Sequence, residues 1–178
     1  MTEKLNKQKK IELEIREMEL NDLAQVFSIG EKLFTAEKWP NLYRTWDEYE
    51  LVNAFASDGE FSLVATMDGR IVGFVLGSLI EKRNSSWIYG YLKWIGVNPE
   101  VKRAGIGTQL YDRLVEIFIE NGARLLLVDT EATNSEAIQF FKKKSFGREK
   151  KHIFMSRNLS THPEYQKRKK YLNRSKHI

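Results

Sequence analysis

The sequence predicts a mixed α/β fold in which helices cover a central sheet. Segments with the two-residue period of a strand alternate along the chain with segments of helical period. The 178 residues are 42% hydrophobic, which is enough for one core of ordinary size. No internal repeat or low-complexity linker divides them. We therefore expect one domain over residues 11–158, between short basic tails at 1–10 and 159–178.

The first half of the chain predicts one strand, two helices and a hairpin. The opening pattern Ile-Glu-Leu-Glu-Ile-Arg alternates apolar and charged residues, as a strand with one polar face does. Thr45, with Glu48 three residues later, resembles a capping box, and Asp68-Gly69 is a favoured two-residue hairpin turn. The predicted elements are a strand at 11–16, helices at 21–36 and 45–56, and hairpin strands at 61–67 and 70–80.

The second half alternates strands with helices. An apolar run ends at Val97, and the periodic segment after it places Leu110, Leu114 and Phe118 on one helix face. A short apolar stretch from Leu125 and a second periodic segment follow. The predicted elements are a strand at 87–97, a helix at 108–121, a strand at 124–130, a helix at 135–144 and a final strand at 152–158.

A glycine-rich turn joins the strand that ends at Val97 to the next helix. Unpaired N–H groups and the helix dipole make a helix N-terminus suitable for an anion, and glycines let a phosphate approach closely. A P-loop would need Gly-Lys-Ser/Thr, which is absent, and a Rossmann turn would need a small residue where Leu110 stands. An anion-binding turn of another kind and a plain tight turn both stay open.

Two segments resemble those of the Gcn5-related N-acetyltransferase (GNAT) family. Residues 102–107 resemble its coenzyme A loop, Arg/Gln-x-x-Gly-x-Gly/Ala, with Lys102 at the first position. Residues 134–146 resemble its Asn-x-x-Ala-x-x-x-Tyr-x-x-x-Gly-Phe stretch, although Phe141 replaces the tyrosine and Ser145 the last glycine. The resemblance extends over residues 11–158. It implies an N-acetyltransferase that moves an acetyl group from acetyl-CoA to an amine without a covalent enzyme intermediate.

The resemblance also implies where the cofactor binds. The fourth and fifth strands of the sheet would splay apart, with helices on both faces, and the pantetheine arm would enter this cleft. Backbone groups of the fourth strand would pair with the arm, and one of them would stabilise the oxyanion. Asn134 would hydrogen-bond the arm, and Phe141 would pack near the sulfur. The expected strand residues are Ile95, Gly96 and Val97, and those around the pyrophosphate are Lys102, Arg103, Ala104, Gly105, Ile106, Gly107 and Thr108.

Acetyl transfer to an amine needs a base for the amine and an acid for the leaving thiolate. Phe141 has no proton to give, so we expect Tyr91 on the fourth strand as the substitute acid, with Tyr89 as the alternative. Family position makes Asp129 the expected base, and Glu131 is the second candidate. Either carboxylate could instead be a salt-bridge partner only, and water could protonate the thiolate.

The acceptor would enter against the first two helices and the residues between them. Residues 11–60 carry twelve Asp/Glu against four Lys/Arg, and the segment 38–50 adds Trp39, Tyr43 and Trp46. Carboxylates beside aromatic rings suit a cationic amine, through ion pairing and cation–π contact. We therefore expect a protein or peptide amine, or a polyamine, as the acceptor.

Composition argues against several other classes of protein. The absence of cysteine excludes disulfides, thiolate zinc sites and a cysteine nucleophile. The three histidines all lie near the C-terminus, which argues against a histidine metal centre, and we expect no metal. No apolar run approaches the roughly 18 residues that span a bilayer. No apolar stretch follows the basic N-terminal residues, so we expect a cytoplasmic protein without a secretory signal.

Two other functions stay open. The net charge of +5 combines +3 in residues 1–10 and +5 in residues 159–178 with −3 in residues 11–158, so the tails are basic and the body between them is slightly acidic. Such tails could make weak contacts with nucleic acid, as in an RNA- or ribosome-associated protein. The missing tyrosine at position 141 also allows a coenzyme A sensor that binds the cofactor without transfer. For the assembly, a homodimer is an alternative to a monomer.

Overall fold

The structure is a computed structural model that describes residues 13–35, 37, 45–82, 86–101, 105–150, 153, 155 and 157–175, the last six by backbone alone. Single turns of 3-10 helix, Leu20–Asp22 and Gly59–Phe61, precede α1 and β2. The chain divides into two compact units, and the boundary between them in the sequence lies between Ile138 and Gln139. The elements are β1 Leu13–Glu17, α1 Leu23–Leu33, α2 Glu48–Ser57, β2 Ser62–Met67, β3 Arg70–Glu81, β4 Ile88–Val97, α3 Ile106–Glu120, β5 Ala123–Val128, α4 Ser135–Lys143 and α5 Pro163–Ser175.

The strands of the first unit form one mixed sheet in the order β1-β2-β3-β4-β5. Neighbours from β1 to β4 run antiparallel, and β5 runs parallel to β4. The β2–β3 hairpin turns at Asp68 and Gly69, whose φ angles of 48° and 73° are those of a type I′ turn. Both the predicted hairpin and the predicted mixed α/β sheet are confirmed.

Helices cover both faces of this sheet. On one face, a Cβ at Gly90 would come within 2.8 Å of the Phe118 ring of α3. On the other face, a Cβ at Gly96 would lie 2.8 Å from Leu33 of α1 and 2.9 Å from the Phe74 ring. Glycine is needed at both positions because helix side chains approach the strands so closely. None of the described helices is long and apolar enough to cross a bilayer.

An aromatic cluster fills the space between α1, α2 and the sheet. The Trp46 ring centroid lies 5.2 Å from that of Phe74 and 5.3 Å from that of Trp94. Trp46 is 8% exposed, and its indole N–H donates to the carbonyl of Phe27 at 3.1 Å. The sequence placed Trp46 among residues that an acceptor could touch, but the structure shows it in the core.

Two helix ends differ from the predicted ones. The N-cap of α2 is Asp47, whose Oδ1 accepts the backbone N–H of Glu50 at 2.8 Å, so the capping box from Thr45 is wrong. The next helix, α3, begins at Ile106, two residues before the predicted start, and its N-cap is Gly105, with φ 64°. At the start of α2, Thr45 and Asp47 are both residue types that cap a helix, so the sequence pattern did not separate them.

The C-terminal region departs most from the sequence prediction. In the predicted final strand, the described residues Ile153, Met155, Arg157 and Asn158 belong to no strand, and the other residues of 152–158 lie outside the described part. The tail instead contains α5, which was not predicted. Pro163 occupies the first position of α5, where a missing N–H is tolerated. The N-terminal tail 1–10 lies outside the described residues, and the domain limits 11–158 stay a prediction.

Candidate active site

The fourth and fifth strands pair along only half of β4. Their register runs from Ile88 opposite Ala123 to Leu92 opposite Val128 and ends there. On its other edge, β4 continues to pair with β3 as far as Val97. Within the described residues, the segment 93–97 therefore has one edge that no strand occupies. This is the opening between β4 and β5 that the family resemblance implied.

The three strand residues expected to meet the cofactor lie in this open half. Ile95, Gly96 and Val97 all pair with β3 on one side, opposite Val75, Phe74 and Gly73. An extended molecule with amide groups can pair with such an edge like an added strand. The edge can therefore receive an extended arm with amide groups, such as pantetheine, as an added strand.

The glycine turn presents a bare helix N-terminus beside the end of β4. No side chain caps α3 at Gly105, and the first turn contains no acidic residue. Among the described residues, a Cβ at Gly105 would meet nothing within 4 Å, and one at Gly107 would meet only Val97, at 3.6 Å. The first N–H groups of an α-helix have no intrahelical partner, so this end of α3 is suited to an anion. Lys102, Arg103 and Ala104 lie outside the described residues.

The predicted acid and the predicted base are joined by a hydrogen bond. Tyr91 pairs with Leu127 in the sheet, and Asp129 lies two residues beyond Leu127, so all three side chains face the same side. The Tyr91 hydroxyl donates to Oδ1 of Asp129. Tyr91 is half-buried and Asp129 is exposed. The bond therefore bridges β4 and the end of β5 at the base of the opening.

The alternative acid and base have other contacts. Nζ of Lys82 lies 5.0 Å from the centroid of the Tyr89 ring, a cation–π contact. Glu131 accepts the backbone N–H of Asn134 through its carbonyl oxygen, at 2.9 Å. Among these four residues, a hydrogen bond joins Tyr91 to Asp129. The catalytic roles of all four residues stay predictions.

Asn134 has a structural role at the start of α4. Its Oδ1 accepts the backbone N–H of Ala137 at 3.1 Å, and its Nδ2 donates to the Thr130 hydroxyl at 3.2 Å. The first of these bonds is that of a helix N-cap. A hydrogen bond from Asn134 to the pantetheine arm would have to be shared with this cap, and it stays a prediction.

Phe141 belongs to the second unit. It is buried, and its ring centroid lies 5.3 Å from those of Phe140 and Phe146. Ser145, which replaces the usual glycine, has φ 66°, a left-handed angle that glycine adopts without strain. This angle gives the physical reason for a glycine at that position. Contact between Phe141 and the cofactor stays a prediction.

Two contacts between β4 and α2 were missed by the sequence analysis. Nζ of Lys93 lies 3.0 Å from Oδ2 of Asp58, the C-cap of α2. The indole N–H of Trp94 donates to Oε1 of Glu50, in the first turn of α2, at 3.1 Å. The available signal was a lysine inside an otherwise apolar strand, because a charged residue there needs a partner.

Known proteins share both sequence and fold with this chain. The sequence model of the Acetyltransferase (GNAT) family matches residues 30–147. Acetyltransferase SG1711 of Sodalis glossinidius is 23% identical over 155 residues, which cover 86% of this chain and all of that protein. Acetyltransferase YE1169 of Yersinia enterocolitica is 26% identical with the same coverage.

Solved structures agree with the sequence comparison. Aminoglycoside N-acetyltransferase AAC(6')-Iy in complex with CoA superposes with a TM-score of 0.63 at 20% identity, over 85% of this chain and 98% of that one. The aminoglycoside acetyltransferase meta-AAC0020 from a soil metagenomic sample, in complex with sisomicin, gives 0.63 at 20% identity, over 82% and 97%. These likenesses show the fold. Because the family match covers well over half of the sequence, the chain belongs to the GNAT acetyltransferase family and is an N-acetyltransferase with acetyl-CoA as its co-substrate.

Proposed function

We propose that this chain acetylates an amine of a polycationic acceptor, and that Tyr91 and Asp129 move the protons. The observation that carries the proposal is the hydrogen bond between these two side chains at the base of the β4–β5 opening. A carboxylate can accept a proton and a phenol can donate one, and both are within reach of the same opening. Through this bond, a proton that Asp129 takes up can replace a proton that Tyr91 gives up.

In the proposed reaction, the neutral amine attacks the thioester carbonyl in a ternary complex. The N–C bond forms and the C–S bond breaks, with a backbone N–H of Val97 or a neighbour as the oxyanion donor. Asp129 takes the proton that the amine loses, and Tyr91 gives its proton to the departing thiolate. Transfer from Asp129 to Tyr91 then restores both groups, so no net proton is gained or lost.

Charge and exposure support a cationic acceptor. The first turn of α2 carries Glu48 and Glu50, and Tyr49 between them is 84% exposed. Among the structural neighbours, meta-AAC0020 holds sisomicin, and AAC(6')-Iy holds a bisubstrate analogue built from acetylneamine. A polyamine, a lysine-containing peptide and an aminoglycoside share the required chemistry, which is several ammonium groups on one molecule. Trp39 and Tyr43 lie outside the described residues.

An acceptor screen tests the proposal. The purified chain is incubated with acetyl-CoA and one amine at a time, from polyamines, lysine peptides, aminoglycosides and anionic amino sugars. Thiol release and the mass of the product are measured. We expect turnover with polycationic amines and none with anionic amino sugars. Coenzyme A binding without turnover on any amine would instead support the sensor alternative.

The charge of the C-terminal tail supports a second, weaker function, which is contact with nucleic acid. In α5, the residues from Pro163 to Lys169 are exposed, and they include Lys167, Arg168 and Lys169. Such a helix can contact nucleic-acid phosphates without reading sequence. We propose weak RNA binding by this tail. Salt-dependent RNA binding that disappears on removal of residues 160–178 would support it, and unchanged binding would contradict it.

A further inference from the structure

A β-bulge lies on β4 at the point where the sheet opens. Leu76 of β3 pairs with Trp94 and Gly77 pairs with Leu92, so the register between the two strands shifts by one residue at Lys93. On the other edge, pairing with β5 ends at Leu92. Lys93 is therefore both the bulged residue and the first residue of the open half of β4.

The bulge changes which side chains share a face. A Cβ at Gly90 would point toward Phe118 of α3, so Tyr91 faces the opposite side, that of α1 and α2. In a regular strand Trp94, three residues later, would face α3. Its ring centroid instead lies 4.6 Å from that of Phe34, at the end of α1. The extra residue at the bulge thus puts Tyr91 and Trp94 on one face.

Side-chain contacts from α2 hold this bulge. The Lys93–Asp58 ion pair spans 3.0 Å, and its side chains are only 19% and 21% exposed. The adjacent Trp94 is held on Glu50 by its indole N–H. A bulge interrupts the ladder of backbone hydrogen bonds. Its position along the strand therefore depends more on side-chain contacts than the position of a regular residue pair does.

We propose that Lys93 and Asp58 are positioning residues for acetyl transfer. Their ion pair fixes the bulge, and the bulge fixes the direction in which Tyr91 points toward Asp129. When the ion pair is lost, the extra residue can move along β4, and a shift of one residue turns a side chain to the other face. The inference rests on the proposed function of the Tyr91–Asp129 pair. It adds that the Lys93–Asp58 ion pair holds Tyr91 in the position that this function needs.

A double-mutant cycle on kcat tests this coupling. We expect Lys93→Met to lower kcat about tenfold or more in the native background, because a small misplacement of a reacting group is costly. In a Tyr91→Phe background the same change should cost less than about twofold, because the group it positions is already gone. The KM for acetyl-CoA should change little in either background. Lys93→Arg should keep most of the activity.

Arg113→Met is the matched control, since it removes an exposed ion pair to Glu116 of 2.9 Å on α3. It should leave kcat unchanged in both backgrounds. Asp58→Asn, which preserves the shape of the side chain, goes through the same cycle and carries the test if Lys93→Met unfolds the chain. Equal losses in the two backgrounds, or no loss in the native one, would overturn the inference and leave the proposed function intact. A Tyr91→Phe variant with native kcat would overturn both.

Discussion

Tyr91 and Asp129 are 38 residues apart in the chain and share a hydrogen bond across the point where β4 and β5 part. The sequence suggested each of them separately, one as an acid and one as a base. The parallel register of the two strands is what brings them together, because it places Asp129 just past the partner of Tyr91. Two groups joined in this way should behave as one proton-transfer unit.

The first prediction concerns the base. Asp129→Asn keeps the shape of the side chain but removes its charge, so turnover at neutral pH should fall by roughly 10²-fold. Activity should recover in part as the pH rises, because hydroxide can then take the proton that Asp129 takes in the native protein. The measurement is a pH–rate profile with Glu131→Gln as the control, which should match the native protein. Full activity of both variants from neutral to mildly alkaline pH would mean that solvent removes the proton.

The second prediction concerns the anion site. Gly105→Glu should abolish acetyl-CoA binding in calorimetry, because it puts a carboxylate beside the bare N-terminus of α3. Since Gly105 has φ 64°, Gly105→Ala is needed to separate strain, which costs about 1–2 kcal/mol, from charge. The alanine variant should still bind. Gly59→Glu adds the same charge at a glycine that also faces open space, and it should bind normally. Unchanged affinity for acetyl-CoA in Gly105→Glu would show that the cofactor does not bind at this turn.

The third prediction concerns backbone strain after α4. Ser145 has φ 66°, where its Cβ is strained and glycine is not. Ser145→Gly should therefore raise the free energy of unfolding, by up to about 1 kcal/mol once the greater freedom of the unfolded chain is counted. Urea unfolding measures it, and Ser145→Ala is the control because it keeps the Cβ. If the glycine variant is no more stable than the alanine variant, the backbone at Ser145 is not strained.

The fourth prediction concerns acid stability. Hydrogen bonds from the Arg16 guanidinium, at 2.6 and 3.0 Å, hold the pKa of the Asp22 carboxyl below its usual value. A lowered pKa stabilises the fold above the pKa of the unfolded chain, and this contribution is lost as the pH falls through the folded-state pKa. The native protein should therefore exceed Asp22→Asn in stability at neutral pH, and the gap should close in acid. A gap that stays constant down to strongly acidic pH would refute the linkage.

The sequence predicted most of the fold because most of it is decided locally. The Asp68-Gly69 turn and the two periodicities are local signals, and they gave the order of the strands and helices in the first unit correctly. The family motifs predicted an opening between β4 and β5. Where two residues could cap a helix, as Thr45 and Asp47 could, the pattern did not separate them.

What the sequence could not predict depends on pairing between distant segments. The bulge at Lys93 exists only in the register of β4 against β3, and the partner of Lys93 lies 35 residues earlier, on α2. The hydrogen bond between Tyr91 and Asp129 likewise requires the β4–β5 register. At 152–158 the sequence predicted a strand, but none of the described residues of that segment belongs to one.

The most direct test of the account is a cycle of Tyr91→Phe, Asp129→Asn and the double variant, assayed for kcat on the best polycationic acceptor. Because the two side chains share one hydrogen bond, we expect each single change to lower kcat by about 10²-fold and the double change to add little more. All three variants should bind acetyl-CoA with native affinity and unfold at the native temperature to within a few degrees. Losses that multiply in the double variant would show two independent groups, and native kcat in all three would contradict the proposed proton-transfer pair.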